Sequence, residues 1–566
     1  MTTDLSTSSS ENAYAMKHYD VAIIGGGING LGIARDLALR GLSVYLAEKN
    51  DFGQGATGNS SGMIHGGIRY LLSDPEVTKQ ACVDSGWIQK IAQNMIFRVP
   101  FLLPIYDEKK WSHLYMLLSE VYFQTYDRFQ PYKNGLPHTR LSQEEACILE
   151  PGLRRDHLIG ALTTDEWGID PFRLCMHNAQ DAKNKGAVIE NYCEVTQLES
   201  VSTGTVLTLK KRHTDNPFYI HARAVINCTG AWNLRHTHQL GIHAPTRPGK
   251  GVHVVYDRCI SNYAIITEAI DGRQMFIAPH QNESWIGTTD DDYFSSPDEL
   301  TAHPDEIEYL VSAVERVFPA IRHYRYCSTL VGLRPTIYEW GKTEDVLSRE
   351  HMILEHSDEG YKGVFSMIGG KLASYRIMAQ ELSDQVCMYL NQTQTRCQTH
   401  QLPLPGHDKL VTVDALTQAY PDIDGVIAKR LIRRHGTHAY QILNTARSTP
   451  DGFDVVCACE PTLACEVRDV CRREWVHNVT DLIRRCRVAT GPCLGRCCVD
   501  KVARIFAEET GQDQKTAAYQ LYQEILNKTA ALNVHARTFQ SHLPSSLQFI
   551  KQHEHIQNLA AQMVSK

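Results

Sequence analysis

The 566-residue sequence contains no uncharged apolar stretch long enough to cross a bilayer, which argues against a transmembrane helix. It has no excess of basic charge: a formal net charge of -7 and a pI near 6.4 exclude a nucleic-acid partner held by bulk electrostatics. The first 17 residues lack the basic start and apolar core of a secretion signal. They form a polar Ser/Thr run, expected to be a disordered leader over 1–17, and the protein is expected to be cytoplasmic. A disulfide framework is also missing. Of 17 cysteines, eight fall between Cys457 and Cys498 in a chain without an export signal, which points to metal ligation there. What remains is ordinary for a globular protein, with 43% hydrophobic and 21% charged residues and enough length for more than one domain.

The most informative segment is Val21 to Gly30, an apolar run ending in Gly-Gly-Gly-Ile-Asn-Gly, followed by a helical pattern and then by Leu42 to Glu48. Gly25, Gly27 and Gly30 occupy the three positions of a G-x-G-x-x-G fingerprint: a tight turn, close approach of backbone to a pyrophosphate, and close packing of helix on strand. The helix that opens there offers unpaired N–H groups and a positive dipole end to an anion. Glu48, 23 residues beyond Gly25, ends the second predicted strand, where a carboxylate can accept hydrogen bonds from ribose hydroxyls.

The Gly/Ser/Thr-rich stretch Gly53 to Tyr70 is too long and too polar for a simple connection and reads as a functional loop. Lys109 to Phe129 reads as a helix with Trp111, Leu114, Leu118, Val121, Tyr122 and Phe129 near one side; it either packs on the domain or forms a surface helix that meets a membrane or partner. Strands are predicted at Ala187–Leu198 and Thr205–Lys211, and another runs through Ala222–Cys228 into Thr229-Gly230, a second approach to a cofactor. Short β-rich segments between Lys250 and Arg334 suit an inserted antiparallel substrate domain. Ile368 to Arg376 opens a helix, and the Pro-containing stretch Leu402 to Gly406 marks the boundary to a helical C-terminal region.

Together these motifs resemble the FAD-dependent glycerol-3-phosphate dehydrogenase family, within the glycine-oxidase-like (DAO) flavoproteins. The marks are residues 25–30, Ile64-His65-Gly66-Gly67-Ile68-Arg69-Tyr70, Asp170-Pro171-Phe172-Arg173-Leu174, Lys250-Gly251-Val252-His253, Ile286-Gly287-Thr288-Thr289-Asp290, Gly332-Leu333-Arg334-Pro335 and Gly369-Gly370-Lys371-Leu372. The resemblance implies an α/β fold: a Rossmann-type FAD-binding body at 18–400, with substrate-domain segments near 99–150 and 250–334, followed by a helical connector at 401–450. It implies FAD contacts at Gly25, Gly27, Gly30, Glu48, Thr57, Ser60, Ser61, Val195, Thr229, Gly230, Gly369, Gly370 and Lys371. Arg69, Tyr70, Arg334 and Lys371 are the implied substrate contacts, Arg334 and Lys371 reaching the reacting oxygen as well, since guanidinium groups pair bidentately with phosphate. His253 is the first candidate for the base and His65 the second.

Cys457-Ala458-Cys459 and Cys493 to Cys498 resemble the BFD-like 2Fe-2S domain, expected at 451–508 with Cys457, Cys459, Cys493 and Cys498 as ligands and a helical tail at 509–566. A zinc site and four free thiols remain alternatives. With that domain the chain resembles the large subunit of the anaerobic enzyme. The expected activity is oxidation of glycerol 3-phosphate to dihydroxyacetone phosphate, with electrons passed toward quinone through the cluster or partner subunits. The resemblance leaves peripheral contact with the inner face of the cell membrane open. Two other readings stand beside it: a dehydrogenase or oxidase of another hydroxy acid or amine on the same fold, and a non-catalytic scaffold subunit holding FAD and metal.

Overall fold

A computed structural model describes residues 16–68, 71–72, 75–108, 111–212, 214, 216–233, 241–341 and 350–538, with side chains described up to 527. Arg69, Tyr70 and most of the predicted leader lie outside these residues.

The first strand, Lys17–Ile24, begins polar and ends fully buried at Val21 to Ile24, because it runs into the centre of a sheet. It pairs in parallel with Val44–Ala47 on one side and Phe218–Asn227 on the other. The sheet has eight strands; its path continues to Val188–Glu190 at one edge and through Val364–Gly369 to His351–Glu355 at the other. The strand Val44–Ala47 is buried on both faces and apolar throughout, as its continuous run in the sequence requires. The helices Ile28–Leu39, Pro171–Asn184 and Tyr375–Tyr389 cover this sheet with Leu31, Ile33, Leu37, Leu174, Met378 and Leu382.

The second sheet has nine strands drawn from 97–106, 140–168 and 246–337, so the substrate unit takes in Leu158–Gly168 as well as the expected segments. It is antiparallel except where Ala264–Glu268 lies parallel to Phe97–Tyr106. The helix Pro304–Glu315 seals its far face with Ile307, Leu310, Val311 and Val314. The helix predicted at 109–129 spans Ser112–Tyr126, and its buried face is Met116, Ser119, Phe123 and Tyr126. Much of the stripe expected from the sequence points outward: Trp111, Leu114, Leu118 and Val121 are all exposed, as is Leu117 beside them. No described helix is long and apolar enough to cross a membrane.

The C-terminal region begins with a linker that is packed rather than loose. The Arg35 guanidinium donates to the carbonyls of Thr399 (3.3 Å) and Leu402 (2.7 Å). Buried charge then joins this region to the first body. Asp51 receives Arg485 at 2.8 Å, with both side chains 0% exposed, and Arg484 at 2.8 Å. Arg173 pairs with Glu474 at 2.7 Å, again with neither exposed. Desolvation alone would raise the Asp51 pKa, but Arg485 and Arg484 overcome it and hold the carboxyl well below the usual carboxylate range.

Asp51→Ala leaves Arg485 buried without this partner, and breaking a buried pair costs about 3–5 kcal/mol. Urea denaturation at neutral pH is expected to show that loss. The Asp51 pKa is depressed on folding, so its contribution is complete above the unfolded value, roughly pH 4. It is lost as pH falls through the lower folded value. The gap between wild type and variant is therefore expected to close only in strongly acid solution; a gap that narrows toward alkaline pH would contradict the assignment.

Candidate active site

The turn between the first strand and helix is built by close approach. A Cβ on Gly30 would sit 2.0 Å from the Gly25 carbonyl oxygen, so only glycine lets the helix start this near the strand. Gly27 differs: its backbone is extended, and a Cβ there would meet only Thr57 Oγ1, at 3.4 Å. The protein itself would accept a side chain at 27, and the space it would fill belongs to the adjoining cavity.

That cavity, about 240 Å³, is lined by Gly25, Gly27, Glu48, Thr57, Val195, Thr229 and Gly230, all expected cofactor contacts. Glu48 is oriented by the Gly26 N–H on Oε2 (2.7 Å) and the Asn50 N–H on Oε1 (2.8 Å), while burial pushes its pKa up. A second cavity, about 410 Å³, is lined by Thr57, Ser60, Ser61, His65, Arg334, Gly369, Gly370 and Lys371. Ile28, Asn29, Ala56, Thr57 and Pro335 belong to both walls, so the two spaces form one elongated site across the helix N-terminus. Its shape and its backbone donors fit a dinucleotide, with the far end left for a ring system and substrate.

The structure separates the two candidate histidines. His65 is on the cavity wall, and its Nδ1 accepts from the Gly67 N–H at 3.0 Å, which assigns the proton of the neutral ring to Nε2. His253 is not on that wall. It is buried behind Ser61, with Nε2 3.0 Å from Ser61 Oγ, and burial together with the Arg334 charge pushes its pKa down to about 3.

Several residues on the wall or directly behind it carried no role in the sequence reading. Thr288 and Asp290 bind the Arg334 guanidinium at 3.0 and 2.9 Å. Glu166 lines the larger cavity, and its carboxylate accepts from Tyr126 (2.7 Å), the buried Lys133 (2.6 Å) and the Gly66 N–H (3.1 Å). Thr288 and Asp290 stood inside a recognised motif; Glu166 had no local signal, because its partners come from distant segments.

The cysteine segment differs from the expected set of four converging ligands. Cys457 lies on a short strand, Val455–Cys457, and Cys493 to Cys498 on the loop leading into helix Val499–Thr510. The Cys498 thiol is hydrogen-bonded to Cys457, and that of Cys493 to both Cys459 and Cys497. The bond from Cys498, then, against desolvation, the N–H groups of Glu460, Ala489 and Cys459, draw the Cys457 thiol pKa down. Among the described residues, no group of three or more His, Cys, Asp or Glu is arranged to hold a metal ion.

Residues 20–376 match the family described as FAD dependent oxidoreductase, and residues 397–517 match the C-terminal domain of alpha-glycerophosphate oxidase. The chain is 31% identical over 530 residues to the A1 subunit of the anaerobic glycerol-3-phosphate dehydrogenase of Haloferax volcanii, covering 90% of this chain and 86% of that one. It is 31% identical to the aerobic glycerol-3-phosphate dehydrogenase of Staphylococcus aureus, over 76% of this chain and 80% of the relative. In three dimensions it is similar to the glycerol-3-phosphate dehydrogenase of Bacillus halodurans complexed with FAD, with a TM-score of 0.69 at 24% identity, covering 90% and 95% of the two chains.

The contrast between Gly27 and Gly30 is testable. Gly27→Val is expected to fold but purify without flavin absorbance, because its side chain occupies pyrophosphate space. Gly30→Val is expected to lower the melting temperature of the protein stripped of cofactor, which Gly27→Val leaves near that of stripped wild type. Equal flavin content in Gly27→Val and wild type would refute the placement.

Proposed function

Because the chain belongs to the FAD-dependent glycerol-3-phosphate dehydrogenases, we propose that its elongated cavity performs the oxidation of glycerol 3-phosphate to dihydroxyacetone phosphate, with Arg334, Lys371 and His65 as the working side chains. The observation that carries this assignment is that a phosphate-pairing guanidinium, an ammonium and an imidazole share one wall next to the Gly369-Gly370 turn. FAD supplies the hydride acceptor at flavin N5. Everything else falls to the protein. Arg334 and Lys371 take the dianionic phosphate, as planar guanidinium and point-charge ammonium respectively, and thereby fix the distance of C2 from the acceptor. Arg69 and Tyr70 complete the proposed substrate contacts.

The proton of the C2 hydroxyl goes to a group on the wall. A base works best with a pKa near the operating pH, and His253 at about 3 is far from it. We therefore assign the contact with the reacting oxygen to His65. With Nδ1 accepting from Gly67, His65 first meets that oxygen as an Nε2–H donor; proton uptake requires the Gly67 contact to open and the ring to change tautomer. His253 supports the wall through Ser61.

That the Haloferax relative is named as one subunit of its enzyme supports assembly with further chains, through which we propose that electrons pass toward quinone. The exposed Trp111, Leu114, Leu117, Leu118 and Val121 support peripheral contact with a lipid surface, since an amphipathic helix carrying Trp lies in the membrane interface. For the cysteine segment, in a domain assigned to 451–508, we propose one 2Fe-2S centre on Cys457, Cys459, Cys493 and Cys498. Its support is the contact of Cys457 with Cys498 and of Cys459 with Cys493, which Cys497 shares; no step of the reaction is routed through it.

Anaerobic addition of glycerol 3-phosphate is expected to bleach the flavin. Arg334→Ala and Lys371→Ala should each lose about 2–5 kcal/mol of this reaction, roughly 30-fold to several thousand-fold in kcat/KM. His65→Ala should slow reduction more than it weakens binding, and more than His253→Ala does. Equal turnover of glycerol lacking phosphate would remove the anion clamp from the assignment. Two measurements on anaerobically purified protein test the remaining parts. About two irons and two sulfides per chain support the cluster, zinc alone or no metal overturns it, and failure to sediment with phospholipid vesicles overturns the lipid contact.

A further inference from the structure

Arg334 enters the cavity from strand Tyr326–Ile337, and three residues on neighbouring chain segments decide where its guanidinium can be. Nη1 donates to Asp290 Oδ1 at 2.9 Å. Nη2 donates to Thr288 Oγ1 at 3.0 Å, while that hydroxyl donates its own proton to the Thr289 carbonyl at 3.1 Å, leaving a lone pair for the arginine. Beneath the guanidinium runs Gly251 of the paired strand Thr246–Tyr256, in register with Gly332. A Cβ on Gly251 would lie 2.7 Å from Nη2, 2.8 Å from Nη1 and 2.9 Å from Cζ, so the guanidinium occupies the space that any larger residue would take.

We propose that Asp290, Thr288 and Gly251 are positioning residues that hold Arg334 in the orientation in which it receives the substrate phosphate. The proposal deepens the reading of Arg334 as a phosphate-binding cation and rests on it. An arginine on a flexible stem loses rotamer freedom whenever it binds; here that freedom is removed before substrate arrives, which leaves more of the ion-pair energy for binding. The two hydrogen bonds fix the plane of the guanidinium, and the bare backbone at 251 fixes its height above the sheet. The Arg334 and Asp290 side chains are 26% and 17% exposed, so the pair sits at the boundary between protein and cavity.

The test is a double-mutant cycle that reads dihydroxyacetone phosphate binding through the absorbance change of bound flavin, with flavin reduction by glycerol 3-phosphate followed in parallel. Gly251→Ala displaces the guanidinium without removing charge, since the three atoms nearest the new methyl all belong to the far end of the arginine. Asp290→Asn weakens the Nη1 bond, and Thr288→Val deletes the Nη2 acceptor at constant size. In wild-type background each is expected to weaken ligand binding about tenfold to a hundredfold, the scale of an ångström-sized misplacement. In Arg334→Ala background each should change it by less than about twofold, because residues acting through one guanidinium are not additive. Equal losses in both backgrounds would overturn the proposal, as would unchanged binding in all three variants that retain Arg334. If Arg334→Ala itself leaves binding intact, the reading of Arg334 falls first. Should Gly251→Ala lose FAD or melt early, Thr288→Val and Asp290→Asn carry the test.

Discussion

The interaction on which the site most depends lies outside it, in the buried pairing of Asp51 with Arg484 and Arg485. Asp51 stands three residues after Glu48, where the chain leaves the second strand and starts the loop that lines both halves of the cavity. Asn191 adds a further donor to the same carboxylate, at 3.1 Å. A loop so rich in glycine and serine has little apolar surface with which to hold itself, so its root is fixed by charge contributed from more than 400 residues away. Arg173 with Glu474 and Arg434 with Asp170 repeat the pattern at the start of the helix that follows strand Leu158–Gly168. The helical C-terminal region is thus part of the scaffold of the cofactor wall. Removing one member of such a pair costs far more than the pair contributes, because the other charge stays buried.

Features that depend on neighbouring residues were legible in the sequence. The glycine turn, the position of Glu48, the Thr229-Gly230 turn and the Gly369-Gly370 turn each follow from a few consecutive residues, and all reached the cavity wall. Features that depend on which face a strand presents were not. His253 and Arg334 stand in equally specific motifs, yet only the sheet decides that the arginine faces the cavity and the histidine lies behind Ser61. Glu166 could not have been found, since Tyr126, Lys133 and Gly66 reach it from three separate segments. The helix Ser112–Tyr126 misled for another reason. Both of its sides are apolar, so periodicity alone favoured the stripe that faces solvent, and Ser112 and Ser119 disguised the one that is buried. The cysteine spacing carries no information on which thiols meet: Cys457 contacts Cys498, and Cys493 contacts both Cys459 and Cys497.

Charge in the catalytic cavity is arranged in compensated groups. Arg334 has Asp290 and Glu166 has Lys133, while burial beside Arg334 keeps His253 neutral. A cavity that collects cations for a dianion would otherwise repel itself open when empty. Pairing Arg334 and Glu166 on their protein sides limits that repulsion, and the attraction that remains is directional.

The shared wall at Ile28, Asn29, Ala56, Thr57 and Pro335 has a consequence for how the cofactor is retained. The two cavities act as two binding sites joined by a common doorway, and a dinucleotide occupies them as a bivalent ligand. Once one half is seated, the other is presented to its own cavity at an effective concentration in about the millimolar range, so avidity can exceed the affinity of either half by about a hundredfold to ten-thousandfold without any new contact. Retention of the flavin is then governed by linkage: dissociation requires both ends to be free at once, and a mononucleotide fragment would exchange with solvent where the whole molecule stays.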